Sequence, residues 1–169
     1  FIMERFLHWR HCHEEGACKT HAFTYLTLVG DGFHNFIDGM VIAASFMVSF
    51  QLGVVTTLAI ILHEIPQELS DFAILVYGGF TKKKALLFNF LSALMAMIGA
   101  LAGYFISDYV GGFSNYILPL TAGGFIYIAT SDLIPELHKE NDLKRSMAAF
   151  SAFLLGIVFM ALANKFLPG

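Results

Sequence analysis

The sequence predicts an all-α, polytopic helical membrane protein with five transmembrane helices. Three observations predict it. Of the 169 residues, 57% are hydrophobic and only 14% charged, whereas an ordinary soluble domain is ~45–50% apolar and about 25% charged. There are too few charges to cover a water-facing surface of this size. The charges are also clustered, and the gaps between clusters approach the ~20 apolar residues that a helix needs to cross a bilayer core. Finally, nearly all basic residues fall on one side of the resulting topology. The 15 Gly and 18 Phe fit this class, since Gly is commoner in membrane helices than in soluble ones. A net charge of −3 gives no reason to expect a nucleic acid as partner. Two Cys, both near the start, do not make a disulfide framework.

The elements follow in order. Residues 1–20 read as the end of a preceding helix (1–10) and a cytoplasmic loop rich in His and Cys, with His8, Trp9, His11, Cys12, His13 and Cys18 ahead of His21. This cationic start is no signal peptide, and the reading is of a fragment whose upstream part is missing. The stretch 21–77 is too long for one span and must turn once. Phe50, Gln51, Leu52 and Gly53, after Ser49, are the predicted turn, giving helices near 21–49 and 54–77. Residues 85–107 and 109–131 contain no charge, and 146–164 is clean but shorter, giving helices near 84–108, 114–135 and 144–167. Pro135 ends or kinks the fourth of these. Gly123 and Gly124 lie mid-helix, where small residues let a neighbour approach.

The connections alternate sides. Arg5, Arg10, Lys19, Lys82, Lys83, Lys84, Lys139, Lys144 and Arg145 share one side, and only Lys165 lies on the other. The positive-inside rule places the first side in the cytoplasm and the C-terminus outside, in a plasma (inner) membrane.

Two of these helices carry polar residues at mid-depth. On the first, Asp31, His34, Asn35 and Asp38 share one face through i+3, i+4 and i+7 spacings. On the second, His63 and Gln67 lie at i, i+4, and Glu64, Glu68 and Asp71 continue that side, with Pro66 among them. Pro66 has no N–H for the carbonyl of Leu62, which lipid tolerates only where that backbone faces protein or water. Each ionisable side chain at the helix centre costs on the order of 2.5–3.5 kcal/mol on insertion scales. At least four carboxylates and two imidazoles therefore need a neutralising partner. A divalent cation supplies one, and a mixed carboxylate–imidazole set suits Zn²⁺, and less selectively Fe²⁺, Mn²⁺ or Cd²⁺.

Other readings are a bundle held by interhelical hydrogen bonds, a non-transporting membrane metal-binding or regulatory protein, and an intramembrane metalloprotease. The protease motif H-E-x-x-H starts well at His63 and Glu64 but fails on its second ligand, since residue 67 is Gln. On the residues themselves, then, the chain binds a metal and no enzyme is expected.

The segments His34-Asn35-Phe36-Ile37-Asp38-Gly39 and 63–72 resemble the signature helices, fourth and fifth of eight, of the ZIP family of divalent metal transporters. The likeness extends through Tyr77, Gly78, Gly79 and Phe80 into Lys82–84. It implies that the five helices are the last five of an eight-helix fold, with the three N-terminal helices missing, and that the partners are a divalent metal ion and the lipid bilayer. A homodimer is compatible with this frame. The resemblance implies that His34, Asp38 and His63, with Gln67 beside them, bind a first transported zinc. Asn35, Asp38 and Glu64 would bind a second, Asp38 would bridge the two, and Glu68 would lie close by. It also implies uptake toward the cytoplasm. Gln67 departs from the His often found there, and an amide oxygen is a weaker, harder ligand than imidazole. Asn89 or Ser92 on the next helix are candidates for the second metal. Asp132, Glu136, His138, Glu140 and Asp142 near the cytoplasmic end read as a solvated acidic loop.

Overall fold

The computed structural model describes residues 22–128, 130, 134 and 142–166. The His/Cys tract before residue 22, Pro135, and the acidic residues Asp132, Glu136 and Glu140 lie outside them. Five helices run in order: α1 Ala22–Val48, α2 Phe50–Tyr77, α3 Lys82–Tyr109, α4 Phe113–Ile128 and α5 Leu143–Phe166. Among the described residues there is no strand. By length and composition α2, α3 and α5 can each cross a membrane. α1 holds Asp31, His34, Asn35 and Asp38 within its 27 residues, and the described part of α4 has only 16.

The chain packs as two compact units. The first takes residues up to Gly39 with Ile60–Ala100, and the second takes Met40–Ala59 with the residues from Leu101 onward.

The core of the first unit is Leu75, Phe80 and Ala85, with Leu28, Phe72, Val76 and Phe88 packed against them. The sequence punctuates it sharply. α2 ends in a Schellman motif, with Phe80 N–H donating to the Leu75 carbonyl at 3.0 Å and Gly79 N–H to that of Val76 at 3.1 Å. Gly79 supplies the left-handed residue that this motif requires, at φ 99°. Thr81 then caps α3, its Oγ1 accepting from the Lys84 N–H at 3.4 Å. Lys82 and Lys83 therefore belong to the helix, not to a loop ending at 84. Lys84 bends back over the Phe80 ring, 4.3 Å from its centre. α1 and α3 meet backbone to backbone: a Cβ on Gly39 would collide with the Ala96 carbonyl oxygen, and one on Gly99 with the Phe36 carbonyl oxygen.

In the second unit the turn between α1 and α2 is tighter than predicted. Only Ser49 separates the helices, and residues 50–53 are already the first turn of α2. The reason is a cap: Ser49 Oγ accepts from the Leu52 N–H at 3.1 Å, satisfying a donor that the helix start leaves open. Phe46 and Phe50 pack their rings across this reversal, 5.9 Å between centres. Val41, Ala44, Ser45, Val55, Ile117 and Thr121 are buried here, and Ser114 Oγ donates to the Ala44 carbonyl at 3.1 Å. Among the described residues no atom lies within 4 Å of a Cβ placed on Gly123 or Gly124. Pro119 sits inside α4, where it leaves the Asn115 carbonyl without a helical donor. On α5, Phe150, Phe153, Leu155 and Val158 are all exposed, an apolar surface suited to lipid.

Candidate metal centre

Both polar segments lie in the first unit. The unbroken helical register of α1 places Asp31, His34, Asn35 and Asp38 on one face. α2 continues as a helix across Pro66 and presents His63, Glu64, Gln67 and Glu68 toward them. Four donor atoms converge. His63 Nε2 stands 3.0 Å from Asp38 Oδ2 and 3.2 Å from Glu64 Oε1. His34 Nε2 stands 3.2 Å from His63 Nε2, 3.4 Å from Glu64 Oε1 and 3.6 Å from Asp38 Oδ2. A tetrahedral zinc site with ligands at about 2.0–2.1 Å has ligand–ligand edges of about 3.3 Å. The observed edges bracket that value.

Protons alone do not account for such a group. Each Nε2 carries at most one hydrogen when its ring is neutral. Two hydrogens for five close approaches must be shared between acceptors or leave some of these contacts unpaired. Both oxygens of Asp38, which is 1% exposed, and Oε1 of Glu64 make no aligned hydrogen bond among the described residues. A buried carboxylate left so is expensive. A cation at the centre of the four atoms would satisfy all of them at once.

The other candidates fall around this group. Asn35 is buried and donates through Nδ2 to the Asp31 carbonyl at 3.2 Å and to Asp31 Oδ1 at 3.1 Å. Gln67 Nε2 donates to the same Oδ1 at 3.2 Å. Both amide nitrogens are thus turned toward Asp31. Glu68 falls in a second acidic group with Asp31 and Glu64, which shares Glu64 with the first. Asn89 donates to the Glu68 carbonyl at 3.0 Å, and Ser92 to the Leu28 carbonyl at 3.4 Å. Helix spacing puts Asp31 on the same face as His34, and the structure groups it with Glu64 and Glu68. The available signal was its i−3 spacing from His34, which one helix turn converts into proximity to Gln67 and Glu68.

A family model described as ZIP zinc transporter matches residues 7–164. The chain belongs to the ZIP family. It is 42% identical over 142 residues to the zinc transporter zipt-7.2 of Caenorhabditis elegans, a match covering 82% of this chain and 31% of that protein. It is 38% identical over 147 residues to the human zinc transporter ZIP10, covering 79% of this chain and 18% of that protein. To the zinc transporter SLC39A7 of Canis lupus familiaris it is 43% identical over 145 residues, covering 82% and 31%. This ZIP chain therefore spans less than a third of each of these relatives. No solved structure gives a significant match. Family membership makes the chain part of a membrane protein, in accord with three helices long and apolar enough to span.

Proposed function

We propose that this ZIP chain forms the metal-conducting part of a divalent-metal transporter, with zinc as cargo held in transit by His34, Asp38, His63 and Glu64. The observation that carries this is the four-atom cluster, whose 3.0–3.6 Å edges have the dimensions of a tetrahedral zinc site. The charges agree. Two carboxylates and two neutral imidazoles around a divalent cation sum to zero, which removes the cost of holding any one of them alone inside a membrane. The relatives that match are zinc transporters by name, and this supports zinc over harder cations.

No covalent chemistry is needed. The four donors replace the water shell of the ion, and partial exposure of His34 and His63 leaves the cluster a side open to exchange. Asn35 and Gln67 are second-rank ligands in this reading, reached when their amide oxygens turn toward the ion. The basic asymmetry of the loops supports an orientation with Lys82–84 in the cytoplasm and the C-terminus outside, in a plasma membrane, and the proposed movement of zinc is uptake toward that cytoplasmic side. The complete transport unit includes the three further helices that the eight-helix resemblance implies. No enzymatic step is proposed.

The test is zinc uptake by the full-length protein reconstituted in liposomes, beside zinc binding in detergent. His34→Ala and His63→Ala should each remove uptake and tight binding while the protein stays helical and monodisperse. Normal uptake by either variant would sink the proposal. Tight binding without flux in the native protein would favour a non-transporting metal-binding role.

A further inference from the structure

We propose that the furrow between α1 and α3 seats one acyl chain of an anionic phospholipid whose phosphate rests on Lys84. The site lies apart from the metal cluster and goes beyond the zinc reading. Leu28, Val29, Gly32, Phe33 and Phe36 of α1 and Met95 of α3 line a cavity of about 360 Å³, all of it within the first unit.

Gly32 opens this furrow. A Cβ there would already stand 3.4 Å from Ser92 Oγ and 3.7 Å from Met95 Cγ, so the two helices are in contact at the floor and any longer side chain would fill the space over it. Val29 and Phe33 beside it are 50% and 53% exposed, so the furrow opens sideways from the helix pair.

The lining selects the occupant. It offers hydrocarbon, aromatic rings and a thioether, and no polar side-chain group. Water needs two to four polar partners to stay in such a place, so it does not fill this one. Width excludes a further helix. Spread over the about 12 Å of α1 from Leu28 to Phe36, the cavity is a channel only about 6 Å wide, against about 10–12 Å for a helix with its side chains. A single hydrocarbon chain, with carbon contacts at about 4 Å, fits that width.

The charge comes from the start of α3. Lys84, Phe88, Leu91 and Met95 recur at i, i+4, i+7 and i+11, so one stripe of α3 runs from the cation to the cavity. Tyr25, Val29, Gly32 and Phe36 recur at the same spacing on α1. The two stripes are joined at the mouth through Phe80. Its ring centre lies 5.5 Å from that of Tyr25 and 5.7 Å from that of Phe88, and Lys84 Nζ stands 4.3 Å from it. Lys82 and Lys83 adjoin, and among the described residues no carboxylate pairs with any of the three lysines. A basic cluster and a half-exposed Tyr at the end of a membrane helix draw an anionic headgroup. Depth agrees. Met95 lies about 16 Å along α3 from Lys84, and one leaflet of hydrocarbon is about 15 Å thick. A phosphate at Lys84 therefore brings its acyl chain down the stripe into the cavity.

The experiment uses the full-length protein, delipidated in detergent, with phosphatidylserine or phosphatidylcholine of equal chain length added back. Bound lipid is counted by native mass spectrometry. One phosphatidylserine per chain should bind about fivefold or more tighter than phosphatidylcholine, and Lys84→Gln should remove most of that preference. Val29→Trp puts an indole into the furrow and should weaken both lipids about tenfold or more. Leu155→Trp, on the exposed face of α5, should weaken neither. Zinc binding should stay native in all three variants, since none of these residues touches the metal cluster, and this shows that each is folded. Equal affinity of the native protein for the two lipids would overturn the proposal, as would Val29→Trp that binds both as the native protein does. A native protein that takes up no lipid, its furrow filled by another part of the full-length chain, would overturn it too. Glycerophosphoserine, the same headgroup without acyl chains, should not compete at 100-fold excess, and competition would show that the furrow takes no part.

Discussion

Replacing Gly39 with Ala puts a methyl group between α1 and α3, directly after the metal-site residue Asp38. The Ala100 amide nitrogen would stand 2.6 Å from that methyl against 3.4 Å for ordinary contact, so the helices must part by about 0.8 Å there, and further at the Ala96 carbonyl. A gap of about 0.5–1 Å forfeits a quarter to a half of the dispersion well of each contact it opens. Overpacking of this kind typically costs about 1–3 kcal/mol. Helix propensity works the other way, by about 1 kcal/mol in favour of Ala. Gly30→Ala and Gly156→Ala isolate that term, because among the described residues nothing lies within 4 Å of a Cβ at either position. The assay is the fraction of detergent-purified protein that stays monodisperse after heating. Gly39→Ala and Gly99→Ala should lose several degrees against native, at about 2–4 °C per kcal/mol for a chain of this size. The two controls should match or exceed native. Gly39→Ala should also weaken zinc binding, because the displaced backbone carries Asp38. If Gly39→Ala behaves as Gly156→Ala does in both measurements, the packing argument is wrong.

Other outcomes follow from the same structure. Ligands must be free of protons to bind a metal, so zinc affinity should hold above the ordinary imidazole range and fall below it, by up to about 100-fold per pH unit with two imidazoles in the site. A titration of affinity from pH 8 to about 5 checks this, and a flat profile would exclude His34 and His63 as joint ligands. Gln67→His offers a third imidazole at the edge of the centre and should raise the zinc-to-manganese affinity ratio several-fold. An unchanged ratio would place residue 67 outside the coordination sphere. Ser49→Ala removes the cap at the start of α2 and should cost about 1 kcal/mol of thermal stability, whereas Ser49→Asp should retain most of it.

Much of this protein is written in local chemistry that the sequence displays directly. The membrane class follows from charge scarcity. Most helix boundaries follow from where the charges stop, because a charge in hydrocarbon costs several times thermal energy whatever its neighbours are. The two polar faces are also legible, since helix periodicity alone puts Asp31, His34, Asn35 and Asp38 in line. Turn details were less so. Ser49 and Thr81 can cap a helix or sit in a loop, and only the local geometry chooses, which moved the start of α2 to Phe50 and that of α3 to Lys82. Composition marks Gly123 and Gly124 as places for a close neighbour, whereas among the described residues the close packing is at Gly39 and Gly99.

The sequence by itself determined the class, the two site-bearing helices and the residue types available to hold a metal. The tertiary structure decided which atoms meet. Spacing along one helix says nothing of the rotation and depth at which a second helix faces it. The contact between α1 and α3 at Gly39 and Gly99 helps to set the position of α1. The seating of α1 on α2 then brings His34, Asp38, His63 and Glu64 within 3.0–3.6 Å and turns the Asn35 and Gln67 amides onto Asp31. Carboxylates that are only a pattern in the chain become two distinct clusters, joined at Glu64, because packing between helices, and not order along them, fixes distances of a few ångströms.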